Sequence, residues 1–128
     1  MLIFTERNYK PIKKLKIMNL KEFTLVTYKE KTENSSTMGF FVRPRIHCKD
    51  GFIFSVQGGE FHHSTPSEHS KEFTHMEIGF PSQVEESILE FAEDDTFPTE
   101  TVYYRVDIEI IQKIIDKHGG IDIEKTFQ

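Results

Sequence analysis

The sequence predicts an α+β domain: two layers, a largely antiparallel sheet of four to five strands, and two helices on one face. Three observations carry this. Strand-like and helix-like segments alternate as β, hairpin, β, α, β, α. An Asp-Gly turn, Asp50-Gly51, sits between two runs of alternating apolar and polar residues. Both helical segments are apolar along one stripe, so each must bury one side against a sheet.

The chain has 128 residues, enough for one domain with a modest core. Twelve Phe give that core its bulk, and so many aromatics argue against a disordered chain. A single cysteine, Cys48, excludes an internal disulfide and any zinc site built from several thiolates. Apolar runs fall well short of the roughly 18 residues of a membrane span. The N-terminus lacks the apolar core of a signal peptide, which fits a cytoplasmic protein.

Residues 1–17 read as a dispensable or disordered arm. Pro11 interrupts any helix, Lys13, Lys14 and Lys16 crowd the apolar positions, and Met18 resembles a second start. The single domain is expected over 18–128. Residues 21–31 read as a strand with Phe23, Leu25 and Thr27 on one face, and 32–37 as a loop of turn formers. The hairpin follows. In its first arm Pro44, Ile46 and Cys48 alternate with Arg43, Arg45 and His47. In its second, Phe52, Phe54 and Val56 alternate with Ile53, Ser55 and Gln57. Residues 61–70 form a polar loop holding His62, His63 and His69. Residues 73–80 read as a strand with Met76, Ile78 and Phe80 on one side and His75 and Glu77 on the other.

Ser82 and Glu85 have the spacing of a capping box opening a helix through Val84, Ile88, Phe91 and Ala92, with Glu85, Glu86 and Glu90 on its wet side. Residues 100–106 read as a strand with Val102, Tyr104 and Val106 on one face. Asp107 then caps a helix over 108–118, with Ile108, Ile111, Ile114 and Ile115 as its stripe. Gly119-Gly120 stops it, and 121–128 is a short tail.

If the helices cover the side bearing Ile46, Phe54, Met76 and Ile78, the opposite face shows Arg43, Arg45, His47, Ser55, Gln57, His75 and Glu77. The histidine loop is placed to fold over it. Arginine and glutamine suit an anionic or acidic partner, by bidentate donation and by mixed donor–acceptor bonding. His47, His75 and Glu77 are suitable ligand types for zinc or iron. Their spacing matches no established motif, so the expectation is no metal, no cofactor and no catalytic residue.

Charge is uneven. Residues 1–31 carry eight Lys/Arg and three Asp/Glu, whereas 84–128 carry four and twelve. The acidic half disfavours nucleic acid and offers a docking surface to a basic partner.

The segments RPRIHCKDGFIFSVQ, GFPS, AED with TETVYYRV, and KHGG together resemble a family of small uncharacterised proteins of phages and prophages. That family's pattern is RPxIxCxDGxxxSVQ, then YAED, PTxTVY and HGGI, and the match runs from about 41 to 121. Phe91 stands where the pattern has Tyr, and Arg105 where it is small or polar. The resemblance implies a phage accessory protein, non-catalytic and compatible with a homo-oligomer, that occupies a host macromolecule or a small anionic ligand, as counter-defence proteins do. A metal-dependent hydrolase using the His/Glu face and a structural virion component are the alternatives.

Overall fold

The computed structural model describes residues 12–29 and 41–128. The loop expected over 32–37 lies outside the described residues, as does the arm up to residue 11. Of the rest of that arm, Ile12 packs partly buried against the core and Lys13 reaches Glu124 at 3.8 Å.

The chain is α+β, with one open four-stranded antiparallel sheet. In order the elements are α1 (Leu20–Val26), β1 (Ile46–His47), β2 (Ile53–Gln57), β3 (His75–Gly79), a 3-10 helix (Glu86–Phe91), β4 (Val102–Asp107), α2 (Ile108–Lys117) and α3 (Ile123–Thr126). Sheet order is β1-β2-β3-β4, every pair antiparallel. The core joins Ile46, Phe54, Val56, Met76, Ile78, Tyr103 and Val106 from the sheet to Phe23, Ile111, Ile114, Ile115, Ile123 and Phe127 from the helices.

Both outer strands are covered. Beside β1, Asp122 N–H donates to His47 O, Lys49 N–H to Gly120 O, and Cys48 pairs with Ile121. Beside β4, Glu93 N–H donates to Val102 O, and Arg105 N–H to His63 O. No open ladder is therefore offered to another chain along those stretches.

Four expectations are corrected. The segment read as a first strand is helix α1. Its buried residues Leu20, Phe23, Thr24 and Thr27 follow helical spacing, and Leu25 faces solvent. Asn19 and Glu22 close a reciprocal capping box, and the Thr24 and Thr27 hydroxyls donate to carbonyls four residues back. The β-branched residues suggested a strand; the cap and the long-range packing decide for helix.

The helix expected to open at Ser82 does not form: the chain bends at 82 and 83, Glu85 is extended, and only the 3-10 helix Glu86–Phe91 follows. Ser82 Oγ accepts the Ile53 N–H, so it caps nothing, and Glu85 is drawn inward.

In β4 an extra residue slips in: Met76 faces Val106 while Ile78 faces Tyr103. Arg105 takes φ +46° at this bulge. Tyr103, not Tyr104, therefore joins Val106 in the core.

The tail is core as well. Ile121, Ile123 and Phe127 are buried, and Phe127 lies 6.0 Å from the Phe23 ring. Asp122 caps α3, and Thr126 Oγ1 accepts the His47 N–H.

Candidate functional site: the polar face of the sheet

The hairpin register, Ile46 opposite Phe54 and His47 opposite Ile53, puts Arg43, Arg45, His47, Ser55 and Gln57 on one side by strand alternation. Gln57 pairs with Glu77, which adds β3 to the same side. These groups do not form a single wet patch. Arg43 and Gln57 are 1% and 3% exposed. Pro44 has no N–H to give, and past it the Gln57 side chain substitutes for a strand. Its carbonyl accepts the Arg43 N–H at 2.8 Å and its amide donates to Arg43 O at 2.9 Å. The same amide reaches Ser55 Oγ. The Arg43 guanidinium donates to Thr27 Oγ1 and Gly58 O, and lies over the Phe41 and Phe73 rings. Gly58 is required there, because a Cβ would fall 2.7 Å from the Phe73 ring. These residues fasten the first arm of the hairpin to α1.

Arg45 is exposed and donates to Phe80 O at 2.5 Å. His47 is half-buried; burial, then the Arg45 charge, lowers its pKa. Along β2, the partner of His47 and the partner of Glu77 are four residues apart, about 13 Å at strand rise. His75, whose Nδ1 pairs with the Thr74 hydroxyl, lies opposite Asp107. His47, His75 and Glu77 therefore do not converge, and among the described residues no group of three His, Cys, Asp or Glu could hold a metal ion.

Glu77 instead gathers the loop histidines. His62 Nδ1 lies 3.3 Å from Oε1 and His63 Nδ1 2.9 Å from Oε2, and the His63 backbone N–H donates to Oε2 at 3.1 Å. Burial would raise the Glu77 pKa, but these donors outweigh it and hold the group below the ordinary 4.5. His62 is used at both nitrogens, its Nε2 facing Phe41 O. His63 stacks on Tyr104 with ring centroids 3.7 Å apart. The Tyr104 pKa is raised, chiefly by its hydrogen bond to Glu93. Backbone strain brackets this cluster: Phe61 has φ +71° and Arg105 φ +46°. Non-glycine residues in this region cost about 1–3 kcal/mol each, and such outliers concentrate at functional sites. His69, the third loop histidine, turns away to Lys29 O and stacks on Tyr28.

A second ionic cluster went unread in the sequence. His118 is stacked 4.0 Å from the Phe52 ring, with Nδ1 2.6 Å from Asp50 Oδ2 and Nε2 3.2 Å from Glu85 Oε1. A carboxylate only accepts, so a ring nitrogen bonds either one as a donor. Lys117 Nζ reaches both Glu85 oxygens at 3.1 Å. Burial pushes Glu85 up, yet bonds from Lys117, His118 and Ser87 leave it below its ordinary value. The signals were the Asp-Gly turn and the His-Gly-Gly stop. Glu85 was obscured because its spacing from Ser82 imitates a cap.

On the other side of β3, an apolar groove of about 500 Å3 runs between α1 and residues 66–76, walled by Leu20, Thr24, Leu25, Phe73 and Met76. Among the described residues, no helix is long and apolar enough to cross a membrane. Compared with models of known families, with curated proteins and with solved structures, the chain finds no match.

Proposed function

We propose that this is an accessory protein of phage or prophage setting that occupies a basic surface on a host macromolecule. One observation carries the reading: the acidic stretch from 84 to 104, which holds no Lys or Arg. Glu86, Glu90, Glu93, Asp94, Asp95 and Glu100 are all exposed there, and Val84 and Phe97 stand 51% and 55% exposed among them. Charges of one sign steer a cationic partner, and the apolar groups between them supply area that can be desolvated.

The polar face supports a small anionic ligand less well. Its buried arginine, Arg43, is committed to Thr27 and Gly58, and Glu77 adds a negative charge at its centre. The resemblance to phage and prophage proteins supports the setting.

The test is a pull-down from host extract with the parent and with a variant carrying Glu86→Lys, Glu90→Lys, Asp94→Lys and Asp95→Lys. The parent is expected to retain a partner with a basic surface, with retention falling as salt rises, and the variant to lose it. Equal capture by both proteins would overturn the reading.

A further inference from the structure

We propose that His63 is a nucleophilic imidazole, presented by Glu77 and Tyr104, that accepts acyl groups from small, neutral activated esters or thioesters. Four features of the geometry lead there. Nδ1 faces a carboxylate oxygen at 2.9 Å, and a carboxylate only accepts, so Nδ1 is the donor and the neutral ring carries its lone pair on Nε2. Among the described residues no hydrogen bond takes that Nε2, and the side chain is 44% exposed. The ring is held against rotation by its stack on Tyr104. The backbone around it is held in strained conformations at Phe61 and Arg105, and the Arg105 N–H bonds directly to His63 O.

Glu77 is the positioning residue. It fixes the tautomer and faces the positive charge that develops on the ring during attack, the role a carboxylate plays beside a histidine in acyl transfer. The charge around the site selects the electrophile. Glu77 and Glu93 repel a phosphoryl dianion, whereas a neutral acyl compound meets no such barrier.

The step balances without a further reagent. The Nε2 lone pair forms a bond to the acyl carbon, and the carbon–oxygen or carbon–sulfur bond breaks with its electron pair leaving on the aryloxide or thiolate. The resulting acyl-imidazolium keeps its Nδ1 proton against Glu77. Water then adds to the acyl carbon and gives both its protons to solvent, one on addition and one from the acid as it is released as carboxylate. The carbon–nitrogen bond breaks with its electron pair returning to Nε2.

This site is separate from the acidic docking stretch, so either assignment can fail without the other. The experiment follows 4-nitrophenolate release from 4-nitrophenyl acetate by the full chain, with acid-quenched mass mapping of acetyl adducts. His63→Gln is expected to lower the second-order rate about tenfold or more, and His69→Gln to leave it unchanged. Glu77→Gln is expected to lower the alkaline plateau of the pH–rate profile several-fold, which loss of exposure alone would not do. Parent-like rates in His63→Gln would overturn the proposal. Should that variant fail to fold, mapping on the parent decides: acetyl on His63 ahead of the other five histidines supports it, and an even spread overturns it.

Discussion

Arg43 shows how far one side chain can depart from the role its neighbours suggest. Strand alternation puts it on the polar side, as expected, yet its guanidinium lies over the Phe41 and Phe73 rings and bonds inside to Thr27 Oγ1 and Gly58 O. Arg43→Ala is expected to cost roughly 3 kcal/mol or more, since it empties a buried site and leaves polar groups around it unmatched. Arg43→Lys should recover little, because a lysine cannot reproduce a planar fork of donors. Denaturant melts of the two variants check this. Cys48 makes the opposite case. It falls on the Ile46 side of its arm and is 2% exposed, with burial and then Asp50 pushing its thiol up to about 12. Thiol reagents at neutral pH are expected to label Cys48 only as the protein unfolds, and Cys48→Ala to lower stability by about 1 kcal/mol. Rapid labelling of the native protein would contradict this burial.

Among the elements, the legible ones are those whose signals are local. The Asp50-Gly51 turn, the apolar stripe of α2 and its Gly119-Gly120 stop all appear as expected, because a turn, a helical period and a cap are written in adjacent residues. The misread elements depend on distant partners. α1 became a helix because Leu20, Phe23 and Thr24 meet the rest of the core, and the Glu85 segment stayed extended because His118 and Lys117 pull its carboxylate inward. The segment 121–128 was read as a tail because its buried apolar residues, Ile121, Ile123 and Phe127, make no repeating pattern. Ending the chain after Gly120 would strip Ile121, Ile123 and Phe127 from the core. At about 1.5–3 kcal/mol for each large apolar side chain, the loss approaches the whole stability of a small domain. Such a variant is expected to lack cooperative unfolding by circular dichroism; a sharp thermal transition would show that α3 is peripheral.

At the level of the whole molecule, three carboxylates tie separate parts of the chain together. Glu77 holds the histidine loop, and Asp50 and Glu85 hold the end of α2. Asp50 is held below its ordinary 3.8, first by the Phe52 N–H and then by His118. All three have folded pKa values below their unfolded ones, so the stability they contribute is full above the unfolded values, near 4.5 for the glutamates, and is lost as pH falls through the lower folded values. The gap in melting temperature between the parent and Glu85→Gln is therefore expected to be constant from pH 7 to about 5 and to close below about 4.5. A gap that persists at pH 3 would remove Glu85 from this account. The candidate site was legible in the same partial way. Alternation put Arg43, Arg45, His47, Ser55 and Gln57 on one side of the sheet, and the histidine loop was expected over it. The partner that Glu77 takes depends on the path of that loop, and no local pattern encodes it.

The pairing of Phe23 with Phe127 also bears on how the protein is made. Synthesis runs from α1 toward α3, so the apolar side of α1 emerges long before the residues that cover it. Closing that contact spans most of the described chain, and such non-local closure is slow. During translation the nascent chain therefore carries Leu20 and Phe23 uncovered until the C-terminal segment arrives, and transiently exposed apolar surface of this kind is prone to aggregate.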